Sequence, residues 1–246
     1  MKAMILAAGL GTRLRPLTDD RPKALVEVAG RALLEIILIR LRSFGVNEVI
    51  VNTHHFAEMI ADYLKAHDNF GMRIEISHEE ELLDTGGGLK KAAPFFLNDA
   101  GQYGPFIVHN VDVISNIDLS HMARLHVDRG ALAMLAVQNR ETSRYLLFDE
   151  EGQLCGRRAA NGADELVRPA HTVQALAFSG IHVVSPRIFA EMRERGAFSI
   201  IDAYLRLAAH GEKIAAYNAD GSYWRDLGRP ESIANAAQDI AHGKLS

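Results

Sequence analysis

A single cysteine, Cys155, stands among 246 residues, so the chain forms no internal disulfide framework and carries no Cys-rich zinc module. No apolar run reaches the ~18–20 residues of a membrane span. The N-terminal run Ala3–Ala8 passes straight into Gly9-Leu10-Gly11-Thr12-Arg13, which reads as the first strand of a cytoplasmic protein rather than a signal peptide. An excess of positive charge is missing too. The 27 Lys and Arg against 31 Asp and Glu leave a net charge of −4, so binding to nucleic acid through global charge is not expected. There is no internal repeat, low-complexity tract or linker. With 48% hydrophobic and 24% charged residues the composition is neither disordered nor collagenous. The length fits one α/β domain over 1–246, while oligomeric state is not legible.

What is present alternates. Ala3–Ala8 reads as a buried strand, Ala32–Phe44 as an apolar helix closed by Gly45, and Glu48–Asn52 as a second strand. A helix over His55–His67 follows, then a turn at Asn69-Phe70-Gly71 and strand Arg73–Ser77. Next come a helix after Thr85, strand Phe106–His109, and a helix through Val127 that Asp118 can cap. This order predicts a mainly parallel open sheet with helices on both faces. The second half reads as more strand-rich. Strand Ala131–Val137 precedes an exposed hairpin of Tyr145–Phe148 and Leu154–Arg157, followed by the long strand Ala175–Val184. Short helices near Pro186–Glu194 and Ser199–Ala209 precede Lys213–Asn218 and Tyr223–Leu227, expected as a hairpin around Asp220-Gly221. A helix over Pro230–Ala241 ends the pattern. An inserted or appended β region is expected to cover the site.

The most informative stretch is Leu6-Ala7-Ala8-Gly9-Leu10-Gly11-Thr12-Arg13-Leu14-Arg15-Pro16-Leu17-Thr18, followed by Arg21-Pro22-Lys23. Glycines after a buried strand let backbone N–H groups turn toward an anion. Lys2, Arg13, Arg15, Arg21 and Lys23 face only Asp19 and Asp20 in this region, a local positive charge within an acidic chain. The combination points to a small phosphorylated ligand; a plain βα turn with solvated arginines is the competing reading. The Walker pattern fails, because Gly-Lys-Ser/Thr is absent. The dinucleotide pattern fails as well, because Leu14 occupies its third glycine.

Four further segments carry chemistry-bearing residues. Asp112 follows a buried strand, at the edge where open sheets bind ligands. Asp226 lies in Trp224-Arg225-Asp226-Leu227-Gly228, where alternation puts Trp224 and Asp226 on one face; an Arg225–Asp226 surface pair is the alternative. Glu79 heads an acidic loop running into Thr85-Gly86-Gly87-Gly88, which reads as the close approach of a flat ligand with Thr85 as N-cap. His54 and His55 are adjacent, so their side chains diverge and a zinc site is not expected; His109 reads as a packing residue.

The N-terminal loop, with Pro22-Lys23, resembles the signature loop of the sugar-1-phosphate nucleotidyltransferases, and the resemblance runs nearly to the C-terminus. It is nearest to short members without an added β-helix, of the N-acetylmuramate-1-phosphate uridylyltransferase and mannose-1-phosphate guanylyltransferase types. The resemblance implies a Rossmann-like α/β fold and transfer of a nucleotidyl group from an NTP (UTP or GTP) to a sugar 1-phosphate, with Mg²⁺ as cofactor and neither nucleic acid nor membrane as partner. It implies Arg13 and Lys23 as catalytic cations and Asp112 and Asp226 as metal carboxylates. In this chain Val111 stands where the family has glycine before the first Asp. The nucleotide side would comprise Leu6, Ala8, Gly9, Gly11, Thr12, Glu79, Thr85, Gly86 and Gly87. The sugar side would comprise Asn110, Arg144, Tyr145 and Gly180, with Leu146 replacing the family's glycine after Tyr145. Two rivals remain. A glycosyltransferase would normally carry Asp-x-Asp, and Asp112-Val113-Ile114 lacks the second Asp. A catalytically dead sugar-nucleotide sensor predicts the loss of Arg13, Lys23 or an Asp, and all four are present.

Overall fold

Alternation decides which residue faces which layer. In β1 (Lys2–Leu6), Ala3 and Ile5 enter one apolar cluster while Met4 enters the other, the period-2 signature of a strand buried on both faces. The structure is a computed structural model and describes residues 1–97 and 104–245. After β1 come the short strands β2 (Glu27–Val28) and β3 (Arg31–Ala32), helix α1 (Leu33–Ser43), β4 (Glu48–Thr53), α2 (Ala57–Ala66) and β5 (Arg73–His78). Helices α3 (Asp84–Lys91) and α4 (Ala93–Phe96) precede β6 (Phe106–Asn110), β7 (Val113–Ser115) and α5 (Leu119–Asp128). The second half holds β8 (Ala133–Gln138), β9 (Tyr145–Phe148), β10 (Leu154–Arg158), β11 (Asp164–Leu166) and β12 (Gln174–Val184). Helices α6 (Ile188–Glu191) and α7 (Ile200–Ala209), strands β13 (Ile214–Asn218) and β14 (Trp224–Asp226), and helix α8 (Pro230–Ala241) complete it.

The sheet is mixed. Strands β6, β1, β4 and β5 run parallel in that order, so their carboxyl ends share one edge. The long strand β12 enters antiparallel, pairing with β9 along its first half, β6 along its second, and β8 at Ala177, Phe178 and again from His182 to Val184. Apolar residues of α1, α2 and α5 cover one face; those of α3, α4, α6 and α7 cover the other. Helix α1 illustrates the cause: Leu34, Ile37, Leu38 and Leu41 recur at helical spacing and are buried, and Gly45 at φ 76° ends the run. Asp118 caps α5 as expected, accepting from the His121 N–H at 2.8 Å.

Two expectations need correction. The segments around Asp220-Gly221 do not form a hairpin. Strand β13 pairs parallel with β8, and β14 pairs antiparallel with β7, in register Trp224↔Ser115 and Asp226↔Val113. Each strand finds a distant partner because β13 is drawn into the main sheet, while β14 continues as the partner of β7. The β9–β10 pair is a hairpin but not an exposed one. Leu146, Leu147, Phe148, Leu154 and Cys155 are buried, and β10 packs beneath α7. Burial raises the Cys155 thiol, and it donates to the Leu147 carbonyl, so it is a packing group. Among the described residues no helix is long and apolar enough to cross a membrane.

Candidate active site

The carboxyl ends of β1, β4 and β6 open onto a cavity of about 370 Å³. Leu6, Ala8, Gly9 and Lys23 line it from the N-terminal segment, Asn52 and Glu79 from the next strands, and Leu82, Asp84 and Thr85 from the start of α3. A second cavity of about 1060 Å³ adjoins it, lined by Arg13, Arg144, Tyr145, Gly180, Trp224 and Asp226 among others. Asn110 lines both.

The N-terminal loop uses its two glycines differently. A Cβ added to Gly9 would meet nothing within 4 Å, so this backbone borders open space within the smaller cavity. Gly11 has φ 65°, and a Cβ there would lie 3.0 Å from Thr18 Cγ2 and 3.3 Å from Lys23 Cβ. Its carbonyl accepts from the Leu14 N–H at 2.8 Å and the Thr18 hydroxyl at 2.9 Å. Gly11 therefore folds the loop back so that Lys23 reaches the cavity. Thr12 is exposed beside it and lines neither cavity.

Asp112 and Asp226 are more than a hundred positions apart, and the β7–β14 pairing brings them together. Asp226 lies opposite Val113, and the Leu227 N–H donates to the Asp112 carbonyl at 2.7 Å. The Lys23 ammonium pairs with the Asp112 carboxylate; both side chains are mostly buried, at 11% and 16% exposure. Asp226 Oδ1 accepts from the Gly228 N–H at 2.8 Å. A Cβ on Gly228 would lie 2.8 Å from both an Arg13 guanidinium nitrogen and Asp226 Oδ1. This explains the last position of the Trp-x-Asp-x-Gly segment: a side chain there would overlap both Arg13 and Asp226. Arg225 does not pair with Asp226. It turns away to Asp239 of α8, its Nε at 3.0 Å from the carboxylate, and Tyr223 and Lys244 join the same carboxylate. These cations pull the Asp239 carboxyl down to about 2. Two carboxylates, Asp112 mostly buried and Asp226 half-buried, without Cys or His, suit Mg²⁺, which takes few protein ligands and keeps water and phosphate oxygens. Among the described residues no cluster of three or more His, Cys, Asp or Glu exists.

The Thr85–Gly88 stretch departs from the expected reading. Gly86 and Gly87 do not line the cavity, and their N–H groups donate to the Phe198 carbonyl at 2.9 and 3.4 Å. A Cβ on Gly86 would lie 2.3 Å from the Phe198 ring, and one on Gly87 would lie 2.5 Å from the Gly196 carbonyl. On Gly88 it would meet Glu79 Oε1 at 2.6 Å. These glycines admit other parts of the protein, not a flat ligand. Thr85 is not the N-cap either: α3 starts at Asp84, whose Oδ1 accepts from the Thr85 N–H at 2.6 Å. Glu79 borders the cavity with both oxygens engaged. Oε1 accepts from Asn52 Nδ2 at 2.8 Å and Oε2 from the Leu83 N–H at 3.0 Å. Asn52 in turn accepts from the Ala7 N–H at 2.6 Å, so the chain Glu79–Asn52–Ala7 braces the signature loop.

In the larger cavity, Gly180 has φ 73° and a Cβ there would strike Asn110 Nδ2 at 2.8 Å. Its role is to admit the Asn110 side chain at an irregularity in β12. Arg144 is exposed on the lining, and the Tyr145 hydroxyl accepts from the Thr142 N–H at 3.3 Å. Sequence reasoning missed Arg140. Its guanidinium lies 3.7 Å from the Trp224 ring centroid and donates to the Phe178 carbonyl at 2.8 Å. Burial lowers it, and nearby Asp226 opposes that shift. Arg157 and Arg158, given no role from sequence, also line this cavity, paired with Glu165 and Asp202, and with Asp164. No local pattern marks these arginines, since their meaning depends on strands that pair across the fold. His109 is fully buried, and burial lowers it to about 4, which fits a neutral packing residue.

A sequence model described as nucleotidyl transferase matches residues 2–243. Over 250 residues the chain is 38% identical to the N-acetylmuramate alpha-1-phosphate uridylyltransferase of Caulobacter vibrioides, covering 97% of this chain and 96% of that protein. It is 30% identical over 236 residues to a mannose-1-phosphate guanyltransferase of Yarrowia lipolytica, covering 95% of this chain but only 62% of the longer relative. In structure it resembles HddC from Yersinia pseudotuberculosis complexed with GMP-PN, with a TM-score of 0.75 over 97% of this chain and 99% of that one; at 22% identity this likeness concerns the fold alone. By the extent of these matches, the chain belongs to the nucleotidyl transferase family, among the sugar-1-phosphate nucleotidyltransferases.

Proposed function

We propose that this chain transfers a uridylyl group from UTP to a sugar 1-phosphate of the N-acetylmuramate type, releasing pyrophosphate. The observation that carries the reading is a pair of adjoining cavities that share Asn110, with Lys23 and Asp112 on the wall of the smaller chamber and Asp226, across the β7–β14 pairing, on the wall of the larger. One chamber per substrate, with charge at their meeting point, is what a two-substrate phosphoryl exchange requires. The choice of sugar and base is supported by the relative matched over nearly its whole length. The larger cavity is lined by five arginines against Glu165, Asp202 and Asp226, a net positive wall that suits an anionic sugar.

A phosphate oxygen of the sugar phosphate attacks the α-phosphorus of the NTP. The bond from that phosphorus to the bridging oxygen breaks, and pyrophosphate departs. The backbone at Gly9 borders the nucleotide cavity without side-chain obstruction. Lys23 presents its cation between the substrates, and Arg13, beside Asp226, faces the charge that spreads on the α-phosphate and leaving group. Asp112 and Asp226 would hold Mg²⁺, which when bound neutralises charge on phosphate oxygens. No protein nucleophile takes part.

The test is pyrophosphate release from UTP, GTP and other NTPs, each paired with hexose, hexosamine and muramic-type 1-phosphates. Release that depends on a sugar phosphate and is highest for UTP with the muramic compound is expected. Highest release for GTP with mannose 1-phosphate would overturn the choice of substrates and keep the reaction class. No release with any pair would overturn the reaction and favour a sensor or a glycosyltransferase.

A further inference from the structure

We propose that the Thr85 hydroxyl is a positioning group for the sugar-phosphate side of the site, although it stands on the wall of the nucleotide cavity. The inference rests on the assignment of the larger cavity to the sugar phosphate. Thr85 Oγ1 accepts from the Ile200 N–H at 3.0 Å. Ile200 opens α7, where the first N–H groups have no partner within the helix. The hydroxyl thus satisfies one end-group of a helix more than a hundred residues away, while Ser199 Oγ accepts from the next, the Ile201 N–H, at 3.2 Å.

The first turn of α7 belongs to the other chamber. Ser199, Ile201 and Asp202 line the larger cavity, and Asp202 holds Arg157 at 3.0 Å. A shift of this turn therefore moves the wall of that cavity and loosens one of the two carboxylate contacts of Arg157, the other being to Glu165. Beneath it, the Phe198 N–H donates to the Leu83 carbonyl at 3.1 Å, and the Gly86 and Gly87 N–H groups return to the Phe198 carbonyl. Those backbone bonds hold the two segments together whatever side chain occupies position 85. The glycines permit this approach, since a Cβ at either would overlap the segment. Thr85 adds the side-chain bond that sets where α7 begins.

Thr85→Val keeps the branched shape and removes the acceptor, and Thr85→Ser restores it. Calorimetry on the full chain would give the Kd of UTP alone and of N-acetylmuramate 1-phosphate and glucose 1-phosphate. Hydrogen exchange would follow residues 199–202 without substrates. Thr85→Val is expected to speed exchange there and to weaken sugar-phosphate binding about fivefold, the scale of a lost helix cap. UTP binding should change less than twofold, and Thr85→Ser should recover both losses. Weakened UTP binding with sugar-phosphate binding unmoved would overturn the proposal, leaving Thr85 as a nucleotide contact. Unchanged exchange at residues 199–202 would overturn it as well. Failure of the wild-type chain to bind either sugar phosphate would instead sink the assignment of the larger cavity, and the exchange arm would still decide whether Thr85 sets the turn.

Discussion

Two glycine-rich stretches border the same cavity and owe their glycines to opposite neighbours. At Gly9 a side chain would meet open space, so the missing Cβ leaves room for whatever enters. At Gly86, Gly87 and Gly88 the room is already taken by Phe198, Gly196 and Glu79. A glycine signals close approach, and nothing in its neighbours along the chain says whether a ligand or the protein approaches. The N-terminal loop is therefore a place where substitutions should damage chemistry, and the α3 start a place where they should damage folding.

The sharpest test of that contrast is at the cations. Lys23→Ala and Arg13→Ala should each lower kcat by roughly 10²–10³, the scale of losing one preorganised stabiliser of transition-state charge. Arg13 is exposed, so its loss should leave the melting temperature unchanged, and Arg13→Lys should recover only part of the rate because an ammonium lacks the planar fork. Initial rates and thermal melts on the same preparations check this. Mutants that melt far lower yet keep their activity per folded molecule would assign the loop to structure instead.

Gly86→Ala comes next. The added methyl overlaps a ring, and overpacking should cost about 3 kcal/mol. Urea unfolding would read this as a lower midpoint, with kcat per folded molecule near wild type and only the KM for the sugar phosphate raised, since Phe198 leads into α7. A normal midpoint would break the contrast from the other side.

Glu79→Gln should cost about 1–2 kcal/mol, since one of two engaged carboxylate oxygens becomes a donor facing a donor. Because Glu79 braces Asn52 and the Ala7 backbone, KM for every NTP should rise together. A change in the ratio of kcat/KM between UTP and GTP would show that Glu79 reads the base directly.

The smallest effect is expected at Gly9→Ala. Stability should stay within about 0.5 kcal/mol, as for surface substitutions away from special features. The value of kcat/KM for UTP should fall about tenfold, because a methyl now stands where the phosphates approach the backbone. Unchanged kinetics would mean that the open space at Gly9 is not used.

Much of the architecture was legible along the chain because its signals are local. Alternation in β1, the apolar stripe of α1 with Gly45 behind it, Asp118 before α5 and Pro230 at the start of α8 each act within a few residues. The signature loop was legible for the same reason: Gly9, Gly11, Arg13 and Lys23 lie in one short segment whose charge departs from that of the whole chain. The expected Asp220-Gly221 hairpin failed because turn chemistry allows a hairpin without choosing which strands pair.

Only the tertiary structure decided the rest. Pairing of β7 with β14 brings Asp112 to Asp226, and the meeting of α3 with α7 fills the space beside three glycines. The packing of Trp224 against Arg140 gives a meaning to an arginine that no pattern marked. By itself the sequence determined most of the elements, the gathering of glycines and cations in the first loop and the identity of the charged groups. Their convergence depends on contacts between residues far apart in the chain, and these are set by which apolar faces and strand edges find each other when the sheet closes.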